Sequence, residues 1–266
     1  MARGELFVAL LCLCLAGLAT SAAGARKMVG VYELRRGDFS VKITNWGAIV
    51  MSVVLPDSKG FPGAVDAYVT YRLSSPYTLG VHMNATALDK ATPVNFLLHA
   101  YWNLGGHGSG DVLGHTLKLF ASRHTVLDDE LLPSSGRVEP VAGTPLDFRK
   151  PTAIGARIRK VMGGRIVGYD ANYVIDGEGM RPVAVARDGA SGRKLELWAN
   201  QPTMQLYTGN WLNNTKGKDG EVYNQYGGFC LETMGYVDAV NHPEFPSQTL
   251  RPGQVYRHDM VFKFSF

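Results

Sequence analysis

Apolar and polar residues alternate along much of this chain. Leu79, Val81, Met83 and Ala85 interleave with Gly80, His82, Asn84 and Thr86, and a period of two is the mark of a strand with one buried and one wet face. The C-terminal run repeats the pattern over a longer stretch. There Tyr256, His258, Met260, Phe262, Phe264 and Phe266 share one face, and Arg257, Asp259, Lys263 and Ser265 share the other. Shorter strands are predicted at residues 39–44, 48–55, 66–73, 116–121, 194–200 and 204–208. Turn formers such as Pro56-Asp57-Ser58-Lys59-Gly60, Asp188-Gly189 and Ser191-Gly192 stand between them. Only residues 151–161 read as helix, with Pro151 suited to a first turn and Ile154, Ile158 and Val161 on one side. The pattern predicts an all-β antiparallel sandwich or barrel with few short helices, its turns supplied by 31 glycines.

The N-terminus needs separate treatment. Arg3 precedes the apolar run from Leu6 to Leu18, and small residues follow from Ala19 to Ala25. This reads as a signal peptide over residues 1–25, too short in its apolar part for a spanning helix. The expected product is one domain over residues 26–266, about 240 residues, secreted or retained in the secretory pathway or a vacuole, with no membrane anchor in its mature form. Of the cysteines, Cys12 and Cys14 leave with the signal, so Cys230 stays unpaired and reads as a buried, inert thiol. Two sequons, at Asn84 and Asn213, are candidates for glycosylation on that route.

The formal net charge of +4 is modest and the basic residues are scattered, which argues against a nucleic-acid partner. Arg157, Arg159 and Lys160 form the densest basic group and read as a solvated helix face. No phosphate-binding loop, zinc-protease helix or nucleophile elbow is present. His107, His115 and His124 follow His99 at intervals that suggest no metal site. Two segments place ionisable groups among apolar residues: Phe96-Leu97-Leu98-His99-Ala100-Tyr101-Trp102, and Phe229-Cys230-Leu231-Glu232-Thr233. The first also reads as a core strand with a hydrogen-bonded histidine. A carboxylate in the second is costly unless paired, or unless its raised pKa is put to use.

Four motifs in order then carry a resemblance. They are His99-Ala-Tyr-Trp-Asn-Leu-Gly-Gly, Gly168-Tyr169-Asp170-x-Asn172-Tyr173, Gln205-x-Tyr207-Thr208-Gly209-Asn210, and Leu231-Glu232-Thr233 with the following Asp238-Ala239-Val240-Asn241-His242-Pro243-x-Phe245-Pro246. Together they resemble the aldose 1-epimerase, or galactose mutarotase, family from about residue 31 to 266. The resemblance implies a galactose mutarotase-like β-sandwich with a sugar cleft on one face, an aldose as substrate, and no cofactor or metal. It implies His99 as general acid and Glu232 as general base for opening and reclosing the sugar ring, with Asp170 and Gln205 holding hydroxyls. Tyr101 and Trp102 could pack a sugar face or the core, and the core is the expectation.

The chain departs from the family's pattern in one large respect. An Asn-Arg pair and a His-Gly-Gly segment that line the sugar site in relatives do not occur; the loop at residues 56–60 runs straight into Phe61-Pro62-Gly63. Leu98 stands where Asn is common before the histidine, and Ala171 where a histidine is frequent after Asp170. The sandwich is therefore expected to be incomplete. The alternative to an active epimerase is a carbohydrate-binding or truncated, inactive member. Glycoside hydrolysis by paired carboxylates, Asp170 with Glu232, is a third reading that the family motifs disfavour.

Overall fold

A computed structural model describes residues 31–36, 39–44, 61–74, 76–128, 133, 135–161 and 167–266, the first two stretches by their main chain alone. The residues assigned to the signal peptide, the strand expected at 48–55 and the loop at 56–60 lie outside the described residues. The strands in the N-terminal half are β1 (Val31–Arg36), β2 (Phe39–Thr44), β3 (Val65–Leu73), β4 (Thr78–Ala87), β5 (Thr92–Pro93), β6 (Thr116–Leu119), β7 (Arg123–Thr125) and β8 (Val138–Pro140). Those that follow are β9 (Thr152–Ala153), β10 (Asp170–Val174), β11 (Arg181–Arg187), β12 (Lys194–Ala199), β13 (Thr203–Tyr207), β14 (Thr215–Lys216), β15 (Val222–Tyr223), β16 (Cys230–Met234), β17 (Thr249–Leu250) and β18 (Val255–Ser265).

Every pairing among the described strands is antiparallel. A seven-stranded sheet runs β3-β4-β18-β12-β11-β6-β9, and a five-stranded sheet runs β16-β13-β10-β7-β8. The two sheets bury their facing sides against each other. Leu79, Val81 and Met83 of β4, Leu195 and Leu197 of β12, and Met260 and Phe262 of β18 meet Tyr173 of β10, Leu206 of β13 and Leu231 of β16 in one apolar cluster. This is the sandwich that the alternation predicts. The two longest patterns were also read to within a residue or two: β4 spans the alternating run 79–86, and β18 holds His258, Met260 and Phe262 inward while Phe266 stays exposed.

The helix expected over residues 151–161 is not formed. Thr152 and Ala153 pair with β6, and two separate 3₁₀ turns follow at Ile154–Ala156 and Ile158–Lys160. The cause is tertiary: the Ile154 and Gly155 amides donate to the His115 and Leu113 carbonyls, so they cannot sustain an α-helical ladder. Ile154 and Ile158 are still buried as their spacing suggested. Arg157 is not on a solvated helix face. Its guanidinium donates to the Pro145 and Asp147 carbonyls and lies 5.5 Å from the Phe148 ring, fastening this loop.

Candidate active site on the outward face of the five-stranded sheet

Register decides which side chains meet. Alternate residues of a strand point to opposite faces, so with Ala171, Tyr173, Leu206 and Leu231 turned to the core, their neighbours turn outward. Cross-strand pairing then aligns Asn172, Gln205 and Glu232 in one row and Asp170, Tyr207 and Cys230 in the next. A diagonal contact joins the rows, the Gln205 amide donating to Asp170 Oδ1 at 2.6 Å. The strand carrying Asp170 is held at its start by a close approach. Gly168 has φ of +148°, and any Cβ there would overlap the Asn210 amide, which donates to the Tyr169 carbonyl while the Tyr169 amide donates to Thr208 Oγ.

His99 comes to this face by another route. β16 is an edge strand, and residues 95–102 run beside it, pinned at two points. Asn95 exchanges hydrogen bonds with the Gly235 main chain, and Trp102 and Phe229 form a two-way bridge. Between the pins the segment is not a strand, which corrects the core-strand reading. His99 is thereby set over β16, with Nε2 3.5 Å from Glu232 Oε1 and Nδ1 3.5 Å from Cys230 Sγ. The Phe96 carbonyl is further held by His258 Nδ1 at 3.1 Å, and His258 Nε2 meets Thr233 Oγ at 2.8 Å. One buried histidine of β18 therefore braces both the His99 segment and the Glu232 strand.

The electrostatics follow from burial. The Glu232 side chain is 5% exposed; desolvation pushes its carboxyl up to about 8, and the nearby Asp170 adds to the shift. Asp170 is also raised by burial, against the opposing hydrogen bond from Gln205 and the charge of His99. Burial lowers His99, with a hydrogen bond at its own main chain and Asp170 working the other way. The Cys230 thiol is pushed well up by burial, then by Glu232 and Asp170. Near neutrality Glu232 thus holds its proton and His99 is neutral, so the pair carries one proton.

All four residues singled out for the site, His99, Asp170, Gln205 and Glu232, lie on this one face. The expectation for Tyr101 is corrected. It is 47% exposed, its ring 5.1 Å from that of His99 and 6.1 Å from that of Tyr207; the segment has left the sheet, so an apolar neighbourhood in sequence does not make it core. Trp102 does pack inward, on Phe262 and Phe264. Tyr207 and Cys230 were not assigned to the site from sequence; their signal was register alone, as each stands two residues from a residue that was. Asn172 is buried, and its Oδ1 is a buried side-chain atom without a partner among the described residues. Two cavities of about 300 and 460 Å³ are lined by other residues. His107 and His115 take local partners, Tyr223 Oη and the Leu104 amide. Asn84 lies on the wetter face of β4, and Asn213 is exposed in the loop after β13.

Comparison with known proteins identifies the family. The aldose 1-epimerase family profile matches residues 50–263. A galactose mutarotase from Rattus norvegicus is 42% identical over 220 residues, which cover 82% of this chain and 63% of the relative. An aldose 1-epimerase from Escherichia coli is 34% identical over 211 residues, covering 77% of this chain and 60% of the relative. Among solved structures, an aldose epimerase homologue from C. elegans superposes with a TM-score of 0.74 at 27% identity, over 88% of this chain and 68% of that one. The matched region thus spans less than two thirds of these curated relatives. With the profile match, the identities and the shared sandwich in hand, this chain belongs to the aldose 1-epimerase family.

Proposed function

We propose that this chain interconverts the α and β anomers of an aldohexose of the galactose or glucose type, with His99 and Glu232 exchanging protons with the sugar and Asp170 and Gln205 holding its hydroxyls. The observation that carries this is the 3.5 Å approach of His99 Nε2 to Glu232 Oε1, beside the Gln205–Asp170 pair on the same sheet face. The anomeric hydroxyl and the ring oxygen are bonded to the same carbon, so the groups that serve them must sit side by side. A histidine and a carboxyl do so here.

The proton inventory closes. In ring opening, ionised Glu232 takes the anomeric hydroxyl proton while protonated His99 gives one to the ring oxygen, and the C1–ring oxygen bond breaks. The open aldehyde is then held by neutral His99 and protonated Glu232, the form that burial favours. Rotation about C1–C2 presents the other carbonyl face. On closure His99 takes the proton back from the ring hydroxyl and Glu232 returns its own, so the pair ends as it began. Before opening, one proton must cross from Glu232 to His99, over the short gap between them.

Polarimetry of freshly dissolved α-galactose or α-glucose tests the reading. Relaxation faster than buffer, lost in His99→Ala and Glu232→Ala, supports it; relaxation at the buffer rate with sugar still bound identifies a carbohydrate-binding member without turnover. The pH profile is a second check. Below the lowered pKa of His99 the pair holds two protons and lacks a base; above about 8 it holds none and lacks an acid. kcat/KM should be bell-shaped, with its upper limb near 8 and its lower limb below 6.5.

The leader-like residues 1–25 support a secretory route, and exposed Asn213 is the better placed acceptor for a glycan than Asn84, which stands in a central strand. Recovery of chain from the medium of secreting cells, with a gel shift on glycosidase treatment that Asn213→Gln removes, is the matching experiment.

A further inference from the structure

We infer that His99, Cys230 and Glu232 together bind a thiophilic divalent metal ion, with zinc as the reference case, and that the ion and a sugar exclude one another. The site is new to the reading above and does not depend on turnover. One ligand atom from each residue can be chosen so that all lie within 4.8 Å of one another. Tetrahedral zinc with bonds of about 2.0–2.3 Å separates its ligands by about 3.3–3.8 Å. A single ion takes one imidazole nitrogen: Nε2 stands 3.5 Å from Glu232 Oε1 and Nδ1 stands 3.5 Å from Cys230 Sγ, so either choice already places one pair of ligand atoms in that range. A turn of the His99 ring and a shift of about 1 Å bring the third within reach.

Access and charge favour the same outcome. The His99 side chain is 31% exposed while Glu232 and Cys230 are buried, so an ion enters past the imidazole and keeps its fourth position open toward solvent. Asp170 raises the proton affinity of Glu232, both carboxyls raise that of Cys230, and no lysine or arginine is among the described neighbours that shift them. A divalent cation relieves that repulsion. Binding neutral His99, the thiol and the carboxyl forms three metal–ligand bonds and releases one proton from sulfur and one from oxygen to solvent, so charge balances. Nitrogen with sulfur selects zinc, cobalt or cadmium over magnesium or calcium. Two other groups, His242 with Asp238 and Glu244, and His107 with Asp219, contain no sulfur, which gives the test its contrast.

The experiment is a Co²⁺ titration of the full chain, without sugar, followed by Zn²⁺ displacement. The expected result is one equivalent bound with thiolate-to-cobalt charge-transfer absorption. That absorption disappears in Cys230→Ser and survives when Cys12 and Cys14 are both replaced by Ser. Zinc affinity should fall about 100-fold or more in Cys230→Ser and in His99→Ala, since removing even a group outside the ligand shell weakens metal binding 10–100-fold. Absence of the charge-transfer band in the wild-type chain, or its persistence in Cys230→Ser, overturns the proposal. If Cys230→Ser fails to give a native circular dichroism spectrum, His99→Ala decides it: unchanged zinc affinity there is equally fatal. None of these readings uses mutarotation, so an inactive chain that binds cobalt, and an active chain that does not, are separate results.

Discussion

The two faces of the five-stranded sheet are built from alternate residues of the same three strands, yet they do opposite things. Inward, Tyr173, Leu206 and Leu231 are fully or almost fully buried against the other sheet. The polar group on that side of β16, Thr233, has its partner in His258. Outward, the same strands present two acids that burial holds out of their ordinary range, a buried thiol and an amide oxygen with no partner among the described residues. Each of those features opposes folding. The inner face supplies the stability that lets the outer face stay strained, and the unit of division is a single residue: Leu231 serves one purpose and Glu232 the other.

Removing the proposed acid–base pair should give the largest effect and test the outer face alone. His99→Ala and Glu232→Gln are each expected to lower kcat by about 10²–10⁴-fold, and the double variant by much less than the product, since both groups act on one proton inventory. Neither should lower the melting temperature, and Glu232→Gln should raise it at pH 8, where the wild-type carboxyl begins to ionise in a buried place. A variant that loses rate only in proportion to lost folded protein would break the division of labour between the faces.

Leu206→Ala is the complementary change, one residue from Gln205 but on the inner side. Truncating a fully buried leucine should destabilise the chain by about 2–5 kcal/mol in denaturant melts, while the pH dependence of turnover by the folded fraction stays as in the parent.

His258 links the faces and should be felt in acid. Burial holds its pKa down to about 4, against an ordinary 6.5 in the unfolded chain, so between those values the unfolded state binds more protons. The His258 contribution is therefore complete above pH 6.5 and declines as pH falls toward 4. By linkage, stability at pH 5 should be about 2 kcal/mol below that at pH 7 from this group. The two carboxylates on the outer face work in the opposite direction, because their raised values stabilise the fold as they gain protons. His258→Gln should remove the acid loss and leave the carboxylate trend, which equilibrium melts at pH 5 and 7 resolve.

How much of this could be read without coordinates depends on whether the cause is local. Strands β4 and β18 follow from a period of two, which a half-buried sheet demands; β16, whose register turns Glu232 outward, is not among the strands that pattern predicts. The candidate residues His99, Asp170, Gln205 and Glu232 are singled out by motifs, and register then explains why three of them share a face. Residues 151–161 misled because their backbone partners are at residues 113–115, which no local pattern records. Tyr101 misled for a similar reason: its exposure depends on the pins at Asn95–Gly235 and Trp102–Phe229, each joining segments far apart in sequence. The approach of Cys230 to His99 spans 131 residues and has no spacing signature.

The smallest expected effect sharpens the comparison most, because it lies wholly within the outer face. Gln205 donates to Asp170 across the two rows, and that bond opposes the rise that burial imposes on the Asp170 carboxyl. Gln205→Ala removes an outward-facing amide, the proposed sugar contact, and also leaves a half-buried acid without its donor. A hydrogen bond to a charged group contributes about 1.5–3 kcal/mol, but water can reach Asp170, so about 1–1.5 kcal/mol is the expected loss. It should be read as a roughly tenfold rise in KM, with kcat lowered far less than in His99→Ala. Gln205→Glu separates the two roles of the residue, since it keeps an oxygen for the sugar while placing a second acid beside Asp170. If Gln205 only fills space, both variants will behave as the parent. If it orients Asp170, the glutamate variant will bind sugar more weakly than the alanine variant at pH 7 and recover as the medium is acidified and the two carboxyls share a proton.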